Sequence, residues 1–185
     1  QNWTRGLVAR PGNVATPSFL AAQAESLARD FGLEVEVWGP DRLRSEGFGA
    51  HLAVARGSEE EPRFLILRHH GADEPPAVLV GKGVTFDSGG ISLKPSKGME
   101  EMKYDMAGGA AVLGALRAVA DLELERRVVG LVPCAENLPS GRALKPGDVI
   151  RGVSGRSIEV VNTDAEGRLL LSDALAHAGT MSPRA

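Results

Sequence analysis

A single cysteine, Cys134, excludes an internal disulfide framework and a cysteine-rich zinc site, and it fits a reducing cytoplasm. No stretch approaches the roughly 18 apolar residues of a membrane span. The opening Gln1-Asn2-Trp3-Thr4-Arg5-Gly6 lacks the apolar run of a signal peptide, so a soluble chain is expected. Basic residues are not in excess, with 21 Lys plus Arg against 24 Asp plus Glu, and no basic stripe stands ready to neutralise phosphates. Nucleic acid is therefore not an expected partner. Internal repeats and low-complexity tracts are also lacking, and the only charge run, Glu59-Glu60-Glu61, reads as a solvated turn before Pro62. The missing initiator methionine and the abrupt ending at Met181-Ser182-Pro183-Arg184-Ala185 are what a piece of a longer protein would have.

Hydrophobic residues make up 43% of the 185, enough for one domain over residues 1–185. Ala15-Thr16-Pro17-Ser18 opens a helix with Thr16 as N-cap and Pro17 at the first helical position, and Leu20, Ala24, Leu27, Ala28 and Phe31 share one face before Gly32 stops it. Leu33 to Trp38 alternates as a strand does, and Gly39-Pro40-Asp41 begins a short helix running to Glu46. Phe64 to Leu67 and Ala77 to Val80 are apolar runs suited to central strands buried on both faces. A long glycine-bearing loop from Gly81 to Gly98 follows, then a small-residue helix from Met106 to Leu122 and a strand from Arg127 to Val132. A second Gly/Pro-bearing loop is expected over Ala135 to Gly147, a strand over Ile158 to Val161 and a helix from Glu166 to Ala178. The sum is an α/β fold, a three-layer sandwich with a mixed, largely parallel sheet flanked by helices.

In such sheets the ligand crevice lies outside the carboxyl ends of the strands, which would bring the loops after Val80 and Val161 together. The first carries Lys82, Asp87 and Lys94, the next helix start carries Asp105, and the second loop carries Asp164, Glu166 and Arg168. Four carboxylates in one crevice repel one another unless cations neutralise them. A pair of Mg, Mn or Zn ions answers that repulsion, since carboxylates suit such ions and can bridge two of them. Plainer readings stay open on spacing alone. Asp164 and Arg168 stand four apart and could form a helical ion pair, while Asp105 and Asp164 could cap helix N-termini.

Three blocks in fixed order resemble the leucyl aminopeptidase (cytosol aminopeptidase) family. They are Val80-Gly81-Lys82-Gly83-Val84-Thr85-Phe86-Asp87-Ser88-Gly89-Gly90, then Met102-Lys103-Tyr104-Asp105-Met106, then Asn162-Thr163-Asp164-Ala165-Glu166-Gly167-Arg168-Leu169. The resemblance extends from about Leu7 to Ala178. It implies a phosphorylase/hydrolase-like aminopeptidase catalytic domain that removes N-terminal, leucine-like residues from peptides or amino-acid amides by means of two divalent metal ions and a bridging water. Manganese, zinc or magnesium would serve. By this resemblance Lys82, as a neutral amine, and Asp105 bind one ion, Asp164 binds the other, and Asp87 and Glu166 bridge both. Lys94 polarises the scissile carbonyl and holds the developing oxyanion, and Arg168 anchors a bicarbonate that acts as general base. A cytoplasmic homohexamer of the full protein is implied as well. The family's separate amino-terminal domain and the later part of its catalytic domain are not in this sequence, so residues 1–185 read as the metal-binding portion. The alternative is a catalytically compromised fragment or a non-catalytic binding or scaffold protein on the same fold. Gly89, Gly90, Gly108 and Gly109 are expected to let backbone approach the site, and Glu136 and Asn137 to support a loop rather than take part in chemistry.

Two other chemistries fail on the residues. Lys82 is followed by Gly83, so the Lys-Ser/Thr ending of a phosphate-cradling loop is missing. Ser88 lacks the leading glycine of a nucleophile elbow, and the adjacent His69 and His70 would point to opposite faces of a strand.

Overall fold

The computed structural model describes residues 1–185. In chain order its elements are α1 (Asn2–Val8), α2 (Pro17–Phe31), β1 (Glu34–Trp38), α3 (Pro40–Ser45), α4 (Gly49–Ala55), β2 (Arg63–His70), β3 (Ala77–Val80), β4 (Gly83–Asp87), α5 (Ala107–Asp121), β5 (Arg127–Asn137), β6 (Val149–Arg151), β7 (Ser157–Glu159) and α6 (Gly167–Gly179). Helix α2 begins and ends as its residues demand. The Thr16 hydroxyl accepts from Phe19 N at 3.2 Å, and Gly32 terminates the helix at φ 66°, a left-handed conformation that glycine adopts without strain.

The sheet is mixed. Its order is β1-β2-β5-β3, with β4 also on β5; β1 and β2, and β2 and β5, run antiparallel, whereas β3 and β4 run parallel to β5. Alternation along the strands sends side chains to two helical layers. Leu65 and Leu67 of β2 and Val128 and Val132 of β5 join Leu7, Leu20, Leu27, Leu113 and Leu116 from α1, α2 and α5. On the other face Phe64, Ile66, Val129 and Leu131 pack with Trp38, Leu43 and Phe48 and with Ala174 of α6. This is the expected three-layer sandwich.

Four details depart from the sequence expectations. The segment from Gly81 to Gly98 is not all loop, because Gly83–Asp87 pairs with the far half of β5. Strand β5 continues through Pro133 to Asn137, so the second loop starts later than Ala135. Strand β2 is central, but β3 lies at the sheet edge, where Leu79 is 37% exposed and only the backbone of Arg184 and Ala185 reaches its outer side. The segment Ile158–Val161 contributes not to the main sheet but to a separate hairpin, β6 with β7. Helices α1 and α4 and strand β6 carry no readable periodicity, since each has at most seven residues, too few for a pattern to build up.

Candidate metal centre

One geometric feature of β5 organises the site. The strand is 11 residues long, and β3 and β4 occupy successive parts of the same edge, β3 against Val128 to Leu131 and β4 against Cys134 to Asn137. Between them the chain swings away at Lys82, whose carbonyl accepts from Gly109 N at 2.7 Å in the first turn of α5. That detour carries the Lys82 side chain out of the sheet. Its ammonium lies 2.6 Å from Asp105 Oδ2 and 2.6 Å from Glu166 Oε1. Asp105 follows the 3₁₀ turn Met99–Tyr104 and precedes α5, while Glu166 is the residue before α6.

The second half of the cluster forms at the end of β4. Asp87 closes that strand, and the loop after it returns through a bond from Lys94 N to Ser88 O of 2.9 Å. The Lys94 ammonium donates to Asp87 Oδ2 at 2.5 Å and to Asp164 Oδ1. Asp164 sits in the 3₁₀ turn Thr163–Ala165, which Asn162 caps by accepting from Asp164 N at 2.8 Å. Asp164 thus pairs with Lys94 rather than with Arg168, which removes the helical ion pair as an explanation of its placement.

Oxygens of Asp87, Asp164 and Glu166 lie within 4.8 Å of one another. Asp87 and Glu166 are almost wholly buried, with 3% and 2% exposure. Two ammonium groups face four carboxylates, so the cluster holds more acid than the chain neutralises. Burial raises the pKa of Glu166 and of Asp105, and the hydrogen bonds from Lys82 offset only part of that. For Lys82 burial works to lower the pKa, but hydrogen bonds to Asp105 and Glu166 outweigh it and the net shift is upward. At Lys94 burial likewise works to lower the pKa, and the hydrogen bonds to Asp164 and Asp87 outweigh it, so the net shift is upward. Both lysines are therefore ammonium ions here. Asp105 Oδ2 and Glu166 Oε1 are both held by the one Lys82 ammonium, at 2.6 Å each, so a single positive charge serves two carboxylates. Surplus negative charge and an all-oxygen acidic set fit hard or borderline divalent cations.

Close backbone approach is required at several glycines around the cluster, Gly90 and Gly109 among them. A Cβ on Gly167 would meet the Lys82 side chain at 2.9 to 3.1 Å, and a Cβ on Gly89, where φ is 89°, would meet Asp164 Oδ1 at 3.0 Å. Asn137, expected to be loop support, is instead in direct contact with the cluster: its Nδ2 donates to Asp87 Oδ1 at 2.8 Å. Only its place beside the motif in the fold reveals this, because 50 residues separate the two in sequence. Glu136 stays outside the cluster and accepts from Ser58 at 2.7 Å. Arg168 is exposed and makes no hydrogen bond or ion pair with the other six residues; it lines a groove of about 180 Å³ with Val160, Val161, Ala165 and Leu169.

Ser88 is buried and donates to Asn137 O, with no histidine partner, which disposes of a serine nucleophile. His69 bonds to Leu124 O and His70 to Glu34, on different partners as their alternation on β2 requires. A cavity of about 860 Å³ lies among Thr16, Phe86, Glu100, Tyr104 and Glu136 and contains none of the four clustered carboxylates. Chemistry rather than cavity size therefore locates the candidate site.

Known proteins share both sequence and fold with this chain. A "Probable cytosol aminopeptidase" of Geobacter sulfurreducens is 55% identical over 186 residues, covering 100% of this chain and 38% of that protein. Another, of Chromobacterium violaceum, is 54% identical over 176 residues, covering 94% of this chain and 34% of the relative. The chain thus spans little more than a third of the length of the curated relatives it matches. Among solved structures, the bottromycin maturation enzyme BotP in complex with Mn superposes with a TM-score of 0.89 at 45% identity, over 93% of this chain and 38% of that one. The model of the cytosol aminopeptidase family's catalytic domain matches residues 2–185, and the chain belongs to that family.

Proposed function

We propose that this chain is the metal-binding portion of a metallo-aminopeptidase, a hydrolase that releases N-terminal residues, leucine-like ones foremost, from peptides or amino-acid amides. The observation that carries the reading is the convergence of Asp87, Asp164 and Glu166 oxygens within 4.8 Å in a member of this family. Two divalent ions, manganese, zinc or magnesium, would be held by Lys82 and Asp105 on one side, by Asp164 on the other, and by Asp87 and Glu166 between them. When bound, such ions supply Lewis acidity and lower the pKa of a water towards about 7. Manganese is the ion named with BotP. Lys82 enters such a set only by giving up the proton that Asp105 and Glu166 now stabilise.

The chain's own residues account for the rest. Lys94 points its ammonium into the cluster between Asp87 and Asp164. Aimed at a peptide carbonyl, that fixed charge stabilises the oxyanion that develops on hydrolysis. Arg168 has no protein partner, and its planar guanidinium suits a bicarbonate that would take up the proton of the attacking water. A homohexamer of the whole protein, in the cytoplasm, belongs to the same reading. No helix is long and apolar enough to cross a membrane.

A second reading is favoured by the apolar side chains left open beside the cluster. Ile91 and Leu93, in the loop between Asp87 and Lys94, are 44% and 60% exposed, and Val161, just before Asn162, is 79% exposed. With these uncovered the chain binds metal but grips peptide poorly and turns over slowly. Hydrolysis of leucine anilide by metal-stripped protein, with Mn, Zn or Mg added back, separates the readings. Recovery that Glu166→Gln abolishes supports the enzyme, metal uptake without hydrolysis supports the second reading, and no response to any metal refutes both.

A further inference from the structure

Asn137 ends β5, is 4% exposed, and spends both amide hydrogens on the two chain segments that carry the cluster. One goes to Asp87 Oδ1 at 2.8 Å, at the end of β4, and the other to the carbonyl of Thr163 at 2.9 Å, in the turn that bears Asp164. Both partners only accept, so the amide nitrogen must face them; the reverse orientation would set three acceptors against one another. Asp87 Oδ1 also accepts from Gly89 N at 3.0 Å. Two donors fill the two lone pairs of that oxygen. Oδ2, the atom facing Lys94, is then the one Asp87 oxygen left to the cluster.

The surrounding bonds hold this arrangement. The Ser88 hydroxyl and backbone N–H both donate to Asn137 O, at 2.7 and 3.0 Å. The Thr163 hydroxyl donates to Gly89 O at 2.7 Å and accepts from Ser92 N at 2.8 Å. Thr163 thus fastens the loop after Asp87 to the turn before Glu166, but it touches neither carboxylate. The Asn137 amide acts at once on the Asp87 carboxylate and on the backbone of the Asp164-bearing turn, which Lys94 reaches only through the Asp164 side chain.

We infer that Asn137 is a positioning residue for the cation site, fixing the rotation of the Asp87 carboxylate so that Oδ2 alone faces the cluster and holding the Asp164 turn in register with it. The inference rests on the metal reading above. Partners that orient metal ligands in this way change metal affinity by about 10- to 100-fold when removed.

Manganese(II) titration of the metal-stripped chain, followed by the paramagnetic resonance signal of free Mn(II), tests it together with the melting temperature of the metal-free protein. Asn137→Ala is expected to weaken Mn(II) binding by about 10- to 100-fold. Thr163→Val, which loosens the same loop but keeps the carbonyl that Asn137 uses, is expected to lower the melting temperature while changing the dissociation constant much less. Should Asn137→Ala not fold, Asn137→Ser, which leaves a smaller void, supplies the same comparison. A dissociation constant within about twofold of wild type in the Asn137 variant, or an equal loss in both variants, overturns the assignment, since about 10-fold is the least an orienting partner contributes. Absence of Mn(II) binding by the wild-type chain is a different result, and it brings down the metal reading itself.

Discussion

Acid should destabilise this fold through buried histidine, His51 foremost. His51, in α4, has no exposure; its Nε2 is 2.9 Å from Cys134 O and its Nδ1 has no partner. Burial lowers its pKa from 6.5 to about 4, and the bond to the Cys134 carbonyl offsets only a little of that. The unfolded chain therefore takes up a proton near pH 6.5 that the folded chain refuses until about pH 4. Stability from the neutral ring is fully present above pH 6.5 and is lost as pH falls from 6.5 to 4. At about 1.4 kcal/mol per pKa unit, the loss is about 2 kcal/mol by pH 5 and about 3 kcal/mol by pH 4. Urea unfolding of wild type and His51→Gln at a series of pH values isolates the effect. Glutamine keeps a donor for Cys134 O but cannot titrate. Buried carboxylates such as Asp173 and Glu136, whose pKa values burial raises, act in the opposite direction in both proteins and cancel in the difference. The stability advantage of wild type over His51→Gln should shrink by about 2 kcal/mol between pH 7 and pH 5. Parallel curves over that range would refute the reasoning.

Two further substitutions probe how the site is held. Asp173 is 1% exposed and accepts from Ala50 N, His51 N and Val153 N at 2.8 to 3.0 Å, tying α6 to α4 and to the loop after β6. Asp173→Ala leaves three donors unsatisfied and should cost about 3 kcal/mol or more in chemical denaturation, well above an exposed Asp41→Ala. Gly167→Ala should leave stability within about 0.5 kcal/mol of wild type, because only the flexible end of Lys82 stands in the way. It should nonetheless weaken Mn(II) binding, since the new methyl group displaces Lys82 from Asp105 and Glu166; unchanged binding by calorimetry would contradict that placement of Lys82.

The chemistry was legible in the sequence to a greater degree than the framework that holds it. Six of the seven candidate residues meet in space: Lys82 with Asp105 and Glu166, and Lys94 with Asp87 and Asp164. Arg168 stands apart on the exposed side of α6. Strand β4 is hard to read because the alternation of Val84-Thr85-Phe86-Asp87 is only four residues long and lies inside a glycine-bearing stretch; it is a strand because β5 is long enough to pair with it. The extension of β5 was hidden by Pro133, which normally marks a strand end but here sits in register with Phe64 of β2. Asn137 could not be read at all without the fold. A buried amide next to a glutamate looks like loop support until the strand register puts it opposite Asp87.

The central claim is that the carboxylate cluster holds divalent cations. Mn(II) titration of the metal-stripped chain, compared with the Asp87→Asn, Glu166→Gln double variant, tests it most directly. The account predicts saturable binding that levels off at two ions per chain, each carboxylate removed costing about 10-fold or more in affinity. Failure of the wild-type chain to bind Mn(II), or binding that the double variant retains unchanged, would contradict it.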